Sequence, residues 1–190
     1  MHLTLWSLPI VRNPYSLHKM IWNAFPDMPE AERSYLFRTD PEKGRGKTSL
    51  ILLSQFSPNG SIQGGELLKS IQLTPRFRSG ERLAFSLRGN PTLRSMKTAT
   101  RVPLAGTESL SDWVFRKFDS VALVDPATLQ IKNRQEIYFN KKGQQGKVVT
   151  VDFEGILTCT NPEGLVELLQ KGIGPAKAFG CGLVLLKRAT

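Results

Sequence analysis

Residues 147–188, KVVTVDFEGILTCTNPEGLVELLQKGIGPAKAFGCGLVLLKR, decide the architecture. Residues 147–160 are rich in β-branched side chains and long enough for a strong central strand. Asn161 followed by Pro162 supplies an N-cap and a proline at the first helical position, so PEGLVELLQKG reads as a helix. AFGCGLVLLKR then closes as a strand. Reading backwards, RLAFSLRGNP (82–91) is a strand, ESLSDWVFRKFDS (108–120) an amphipathic helix, and VALVDPATLQI (121–131) opens with a strand before a basic loop around residues 140–147. The order is β-α-β-β-α-β, the split βαβ of ferredoxin-like domains.

The first half repeats it. HLTLWSLP alternates apolar and polar residues as a half-buried strand does. Asn13 and Pro14 open a helix on which Leu17, Met20, Ile21, Ala24 and Phe25 make one apolar face, and Pro26 ends it. SYLFRTD and TSLILLSQF are strands joined across PEKGRGK. A poorly marked helix or loop at Ile62–Lys69 and a strand near LLKSIQLTP complete the set. The expectation is an α+β chain of tandem ferredoxin-like, RRM-like domains, residues 1–80 and 81–190, a sheet architecture that often presents a face or groove to RNA.

A chain of 190 residues accommodates two such domains. No apolar run is long enough to span a bilayer, and the N-terminus does not follow the order of a signal peptide, so a cytoplasmic protein is expected. Cys159 and Cys181 each lie in an apolar run without a neighbouring Cys or His at metal-ligand spacing, and they read as buried thiols. The formal net charge is +10. It is unevenly spread: Arg76, Arg78, Arg82, Arg88, Arg94, Lys97 and Arg101 are opposed by Glu81 alone, and Lys132, Arg134, Lys141, Lys142 and Lys147 by Glu136 alone. Such clusters attract polyanions. The alternative is a solvated surface; a membrane helix is disfavoured because Gly80, Gly89 and Pro91 interrupt any helical period.

Residues 170–182, QKGIGPAKAFGCG, join a helix to a strand, the reverse of a Rossmann or P-loop turn. Gly172 would be the C-cap, while Gly174, Gly180 and Gly182 would let another backbone approach. That suits a sugar-phosphate backbone better than a buried nucleotide; the alternative is a tight turn and a bulged edge strand. The segment PEKGRGKTSL ends like a P-loop, but Pro41 stands where the first glycine belongs and Thr48 leads into a strand rather than a helix. No nucleotide cofactor is expected. Nothing offers a metal site, and the acidic cluster Asp27, Glu30 and Glu32 reads as exposed. Tyr15, His18 and Trp22 are spaced i, i+3, i+7, within a sector of about 60° on the first helix. A histidine there is a candidate general acid or base, with the tyrosine orienting a hydroxyl or phosphate. On the spacing alone, an aromatic edge of the core with a satisfied histidine is the favoured reading.

FEGILT and KGIGPAKAFGCGLVLL, together with YSLHKMIWNAFP, FSLRGNPT and RVPL in that order and spacing, resemble CRISPR repeat-RNA endoribonucleases, and closely the CasE family of the type I-E Cascade complex. The resemblance covers most of the chain. It implies tandem ferredoxin-like domains and a metal-independent ribonuclease without cofactor. Such an enzyme cuts CRISPR precursor RNA at the base of each repeat hairpin, expected to leave 2′,3′-cyclic phosphate and 5′-hydroxyl ends, and retains the product beside other Cascade subunits. The family's catalytic histidine, with a tyrosine three residues before it, matches His18 and Tyr15. Arg88, Arg94, Lys97, Arg101, Lys141, Lys142, Lys147 and Lys177 are then the candidate RNA contacts, with Gly172, Gly174, Gly180 and Gly182 of the glycine loop. A non-catalytic RNA-binding scaffold subunit is the alternative. A DNA-binding regulator lacks a convincing helix-turn-helix.

Overall fold

The computed structural model describes residues 1–11, 13–25, 35–42, 44, 46–94, 100–141 and 144–189, with the side chains of Pro14, Tyr15, Lys141 and Gln144 outside that description. Pro26 and the acidic cluster at 27–32 also lie outside the described residues.

In the first half, β1 (His2–Pro9), α1 (Pro14–Trp22), β2 (Tyr35–Pro41), β3 (Lys47–Ser54) and β4 (Glu66–Gln72) follow in that order. The sheet runs β2-β3-β1-β4, antiparallel throughout. It is the arrangement a split βαβ requires. Beyond Trp22 the chain tightens into i→i−3 bonds from Asn23, Ala24 and Phe25, so the helix is shorter than its apolar pattern while Ala24 and Phe25 remain buried. α1 packs Leu17 and Ile21 onto Trp6, Leu8, Tyr35, Phe37, Leu50 and Leu52 of the sheet.

The second helix expected here does not form. Gly64, at φ +70°, and Gly65 interrupt the segment, and Gly65 donates to the Ile62 carbonyl in a tight turn. Ile62 is buried in the core that a helix would have covered, held by Asn59 and Gly60 bonding to the Ala24 carbonyl. Glu66–Lys69, allotted to that helix, is instead the start of β4, an exposed edge strand.

The second half holds β5 (Arg82–Gly89), a small hairpin of β6 (Thr92–Arg94) and β7 (Arg101–Pro103), α2 (Thr107–Phe118), β8 (Ala122–Val124), β9 (Gln130–Lys141), β10 (Gln144–Cys159), α3 (Pro162–Lys171) and β11 (Val184–Arg188). The sheet order β11-β5-β10-β8 is the same split βαβ, now with both helices. Asn161 caps α3 by accepting from the Gly164 amide at 2.9 Å. Trp113, Phe118, Leu165 and Leu169 of the helices cover Phe85, Leu87, Phe153 and Leu157 of the sheet.

Of the basic loop expected around 140–147, residues 140–141 and 144–147 are strand, because β9 pairs with the first half of β10 in a two-stranded ribbon. A register shift beside Thr150, with Asn133 at φ 47°, bends it as a bulge does. Phe139 covers Gly146 opposite it, where a Cβ would lie 2.3 Å from the ring. Sequence alternation is weak along β9, so backbone pairing rather than an apolar face defines it.

The halves meet in two ways. Leu36 and Leu53 pack with Leu183 and Leu185 in a third apolar cluster. Beside it Arg88 of β5 reaches Asp152 of β10 at 2.7 and 2.9 Å, Asp40 of β2 at 2.9 Å and the Thr39 carbonyl. Arg38 of β2 donates to Ser86 at 2.8 Å. Cys159 and Cys181 are free and buried, as their apolar settings suggested. Burial pushes the Cys181 thiol up to about 12.

Candidate active site and cationic surface

His18 projects from α1 toward β2, partly exposed. Its Nε2 lies 3.2 Å from the Tyr35 hydroxyl, which also donates to the His18 backbone carbonyl at 3.3 Å. Tyr35 is a rigid partner: 2% exposed, stacked on Phe25 with centroids 5.6 Å apart, and flanked by Trp22 and Phe37. His18 and Trp22 of the flank drawn from spacing thus converge on a phenol from another element. Tyr15 stands on the same helix, its side chain outside the described set.

α1 is a neighbour of the short 3-10 turn at Lys177–Phe179 in the glycine loop. Phe179 packs on Phe139 of the ribbon at 4.8 Å. The turn therefore bridges the histidine helix and the ribbon. Below it, Leu8, Leu17, Thr39, Gln135, Ile137 and Phe179 are among the residues that line a cavity of about 230 Å³.

The glycine run is organised first by its own packing. Gly172, at φ +69°, ends α3, and a Cβ there would fall 2.7 Å from Leu36 and 2.8 Å from the Gly182 carbonyl. Gly182, at φ +94°, would place one 2.8 Å from the Ile173 carbonyl. The backbone these two glycines admit is the protein's own, closed by Ile173 N–H to Gly182 O and Gly182 N–H to Arg88 O. Gly180 lies against Phe37 of the first half, and Gly174 beside Trp113.

The candidate cations divide by burial. Arg88, expected on phosphates, has its guanidinium engaged by Asp152, Asp40 and Thr39, with the side chain 14% exposed. Burial alone would lower its pKa, but the hydrogen bonds and charges of Asp152 and Asp40 hold it above the ordinary arginine value. Burial likewise works to raise Asp152, yet Arg88, Asn133 and Arg38 keep it below the ordinary aspartate range. Arg88 joins the halves, because it holds Asp152 of its own half and Asp40 and the Thr39 carbonyl of the other.

Arg94 and Arg101 instead face each other across β6 and β7, both exposed. Lys147, on the ribbon, pairs with Glu136 at 3.0 Å and lies over the exposed Tyr138 ring. The hydrogen bonds of Tyr138 and then Lys147 lower the Glu136 pKa. Lys177 donates to the Lys171 carbonyl. It lines, with Arg101, Lys117, Gly174, Pro175 and Ala176, an open cavity of about 440 Å³. Lys97 and Lys142 lie outside the described residues, as does the side chain of Lys141.

Two functional candidates escape the sequence reading. Lys117 sits on the polar side of α2, where a lysine is ordinary until folding places it beside the glycine loop. Tyr35 opens β2 with only an inward strand position to mark it, and its partner is on another element.

Two split βαβ units in tandem, with a histidine helix and an exposed cationic surface, define an α+β protein of the tandem ferredoxin-like class. The chain belongs to the CRISPR-associated protein family, whose family model, described as CRISPR associated protein, matches residues 8–188. It is 33% identical over 186 residues to the CRISPR system Cascade subunit CasE of Escherichia coli strain K12, covering 92% of each chain. It is 26% identical over 189 residues to the CRISPR-associated endoribonuclease Cse3 of Thermus thermophilus, covering 90% of this chain and 89% of the relative. The structure of CRISPR endoribonuclease Cse3 bound to 19 nt RNA superposes with a TM-score of 0.89 at 26% identity, over 98% of this chain and 100% of that one. The crystal structure of Cas6e from Escherichia coli K-12 does so with a TM-score of 0.83 at 30% identity over the whole of both chains. The family resemblance carried by the short motifs extends along the molecule. No helix among the described residues is long and apolar enough to cross a membrane.

Proposed function

We propose that this protein is an endoribonuclease of CRISPR RNA processing that cuts the precursor transcript at the base of the repeat hairpin and retains the processed RNA as a Cascade subunit, in the cytoplasm. The observation that carries this reading is the placement of His18 on a helix beside the glycine-loop turn, in a chain 33% identical to a CasE subunit. Relatives named for endoribonuclease activity and for a Cascade role support both halves of it.

The cleavage proposed uses the RNA's own nucleophile. The 2′-hydroxyl oxygen forms a bond to the adjacent phosphorus, the bond from phosphorus to the 5′-oxygen breaks, the 2′ proton is removed and the 5′-oxygen is protonated. The products are a 2′,3′-cyclic phosphate and a 5′-hydroxyl. The protein's part is in-line geometry, proton transfer and stabilisation of phosphorane charge. His18 is the general acid or base, and Tyr15 holds the 2′-hydroxyl or the phosphate. One histidine cannot fill both proton roles in one step, so Tyr15, a lysine or water carries the other. Arg94, Lys97, Arg101, Lys141, Lys142, Lys147 and Lys177 supply phosphate contacts, joined by Lys117, and Gly174 lets the backbone of the RNA approach the cationic cavity. Duplex RNA is read through shape and backbone, which such a surface suits.

The test is cleavage of a labelled repeat-hairpin RNA in EDTA, with binding measured in parallel. His18→Ala is expected to lower the cleavage rate constant by about 10²–10⁴-fold while binding stays within a few-fold. A single 2′-deoxy at the scissile nucleotide should bind and not react. Tight binding with no cleavage by the wild type would leave a binding subunit, with His18 a satisfied edge of the core.

A further inference from the structure

We propose that Tyr35 is a positioning residue for His18 and that it makes Nδ1 the nitrogen that exchanges the proton during cleavage. This rests on the reading of His18 as the catalytic histidine. The Tyr35 hydroxyl lies 3.2 Å from His18 Nε2 and 3.3 Å from the His18 carbonyl oxygen. A phenol has one hydrogen to donate, and a carbonyl oxygen can only accept. If the hydrogen went to Nε2, two acceptor oxygens would face each other beside a buried ring. With the hydrogen on the carbonyl, both contacts are hydrogen bonds, provided that Nε2–H donates to the phenol oxygen.

That arrangement selects the neutral tautomer protonated on Nε2, leaving the lone pair on Nδ1. It also survives protonation, since the imidazolium keeps its Nε2–H. A proton can come and go at Nδ1 with the Tyr35 bond intact. Reaction at Nε2 would break that bond in every turnover. Tyr35 is suited to the task because its ring is fixed by Phe25 in a stack of 7° and by Trp22 and Phe37 at its edges. Orientation of an imidazole by a buried partner on its second nitrogen is the logic by which a catalytic triad holds its histidine.

The experiment is ¹⁵N spectroscopy of ring-labelled histidine in the full chain, assigned with a His2→Gln variant because only two histidines are present, together with single-turnover cleavage and hairpin affinity. Wild type is expected to show His18 protonated on Nε2 when neutral. Tyr35→Phe keeps the stacked ring, and its folding is checked by thermal unfolding. It should mix the tautomers and lower the cleavage rate constant by about tenfold or more, with affinity within twofold. A wild-type Nδ1–H tautomer, or a Tyr35→Phe variant unchanged in tautomer and rate, overturns the proposal. If His18→Ala cleaves like wild type, it is the catalytic assignment of His18 that falls. If His18→Ala is inactive and Tyr35→Phe is indifferent, only the role of Tyr35 does.

Discussion

The two halves share a strand order and differ in how they close their cores. In the second, α2 and α3 lay Trp113, Phe118, Leu165 and Leu169 across one sheet face, a complete ferredoxin-like unit. In the first, among the described residues, α1 covers part of the sheet and the loop at Ile62 fills the place a second helix would take. The first half also leans on the second, through Leu36 and Leu53 on Leu183 and through Asp40 on Arg88. Among the described residues the first half has one helix, and His18, proposed above as the catalytic histidine, stands on it. The half with both helices carries the ribbon and the small hairpin, and the turn of its glycine loop is the neighbour of α1.

Removing the junction between the halves should have the largest effect. Asp152→Ala leaves Arg88 buried without its main counter-charge, and a loss of about 3–5 kcal/mol is expected in chemical denaturation. Arg88→Met combined with Asp152→Leu should recover most of it. A single variant as stable as wild type would mean that the junction does not depend on the buried cluster of Arg88, Asp152, Asp40 and Arg38.

Next in size is the loop that substitutes for a helix. Ile62→Ala should destabilise the protein by about 2–4 kcal/mol, the range for a fully buried aliphatic truncation. A change below about 0.5 kcal/mol, the scale of surface substitutions, would break the comparison, because the first core would then be closed by something else.

Acid sharpens the same contrast. Asp152 is held below its ordinary range in the folded state, so its contribution is present above the unfolded value of about 3.9 and is lost as pH falls through the lower folded value. Wild type should therefore lose stability below about pH 4 more steeply than the Arg88→Met, Asp152→Leu variant. Parallel curves for the two proteins would count against the linkage.

The smallest effect separates the structural arginine from those proposed to face RNA. Arg94→Ala with Arg101→Ala should reduce the slope of log affinity against log salt by roughly 0.7–0.9 for each phosphate no longer neutralised, leaving thermal stability nearly unchanged. Equal slopes in wild type and double variant would remove the β6–β7 hairpin from the RNA surface.

Much of this was legible locally. Asn161-Pro162 and Gly172 marked both ends of α3, and the alternation in RLAFSLRG marked β5, whose Leu83, Phe85 and Leu87 are buried. Those signals are short-range, set by capping and strand periodicity. The segment read as a helix or loop at Ile62–Lys69 is a turn through Gly65 followed by the start of β4; a few residues around Gly64 and Gly65 have no period, and what settles such a segment is the core gap that Ile62 fills. In the basic loop expected at 140–147, residues 140–141 and 144–147 belong to a ribbon, because strand pairing is not encoded in the weak alternation of β9. Arg88 looked like its neighbours in a cationic run; its pairing with Asp152, opposite it in register on β10, is a product of sheet assembly.

Neighbours along the chain were enough to set the tandem strand order, the excess of positive charge and the helix that bears Tyr15 and His18. Folding in three dimensions chose which arginine became a buried tie, which glycines serve the protein's own backbone, and that a phenol from β2 meets Nε2 of His18. Local preference acts over a few residues, whereas burial, ion pairing and the orientation of a ring depend on what distant segments bring to the same place.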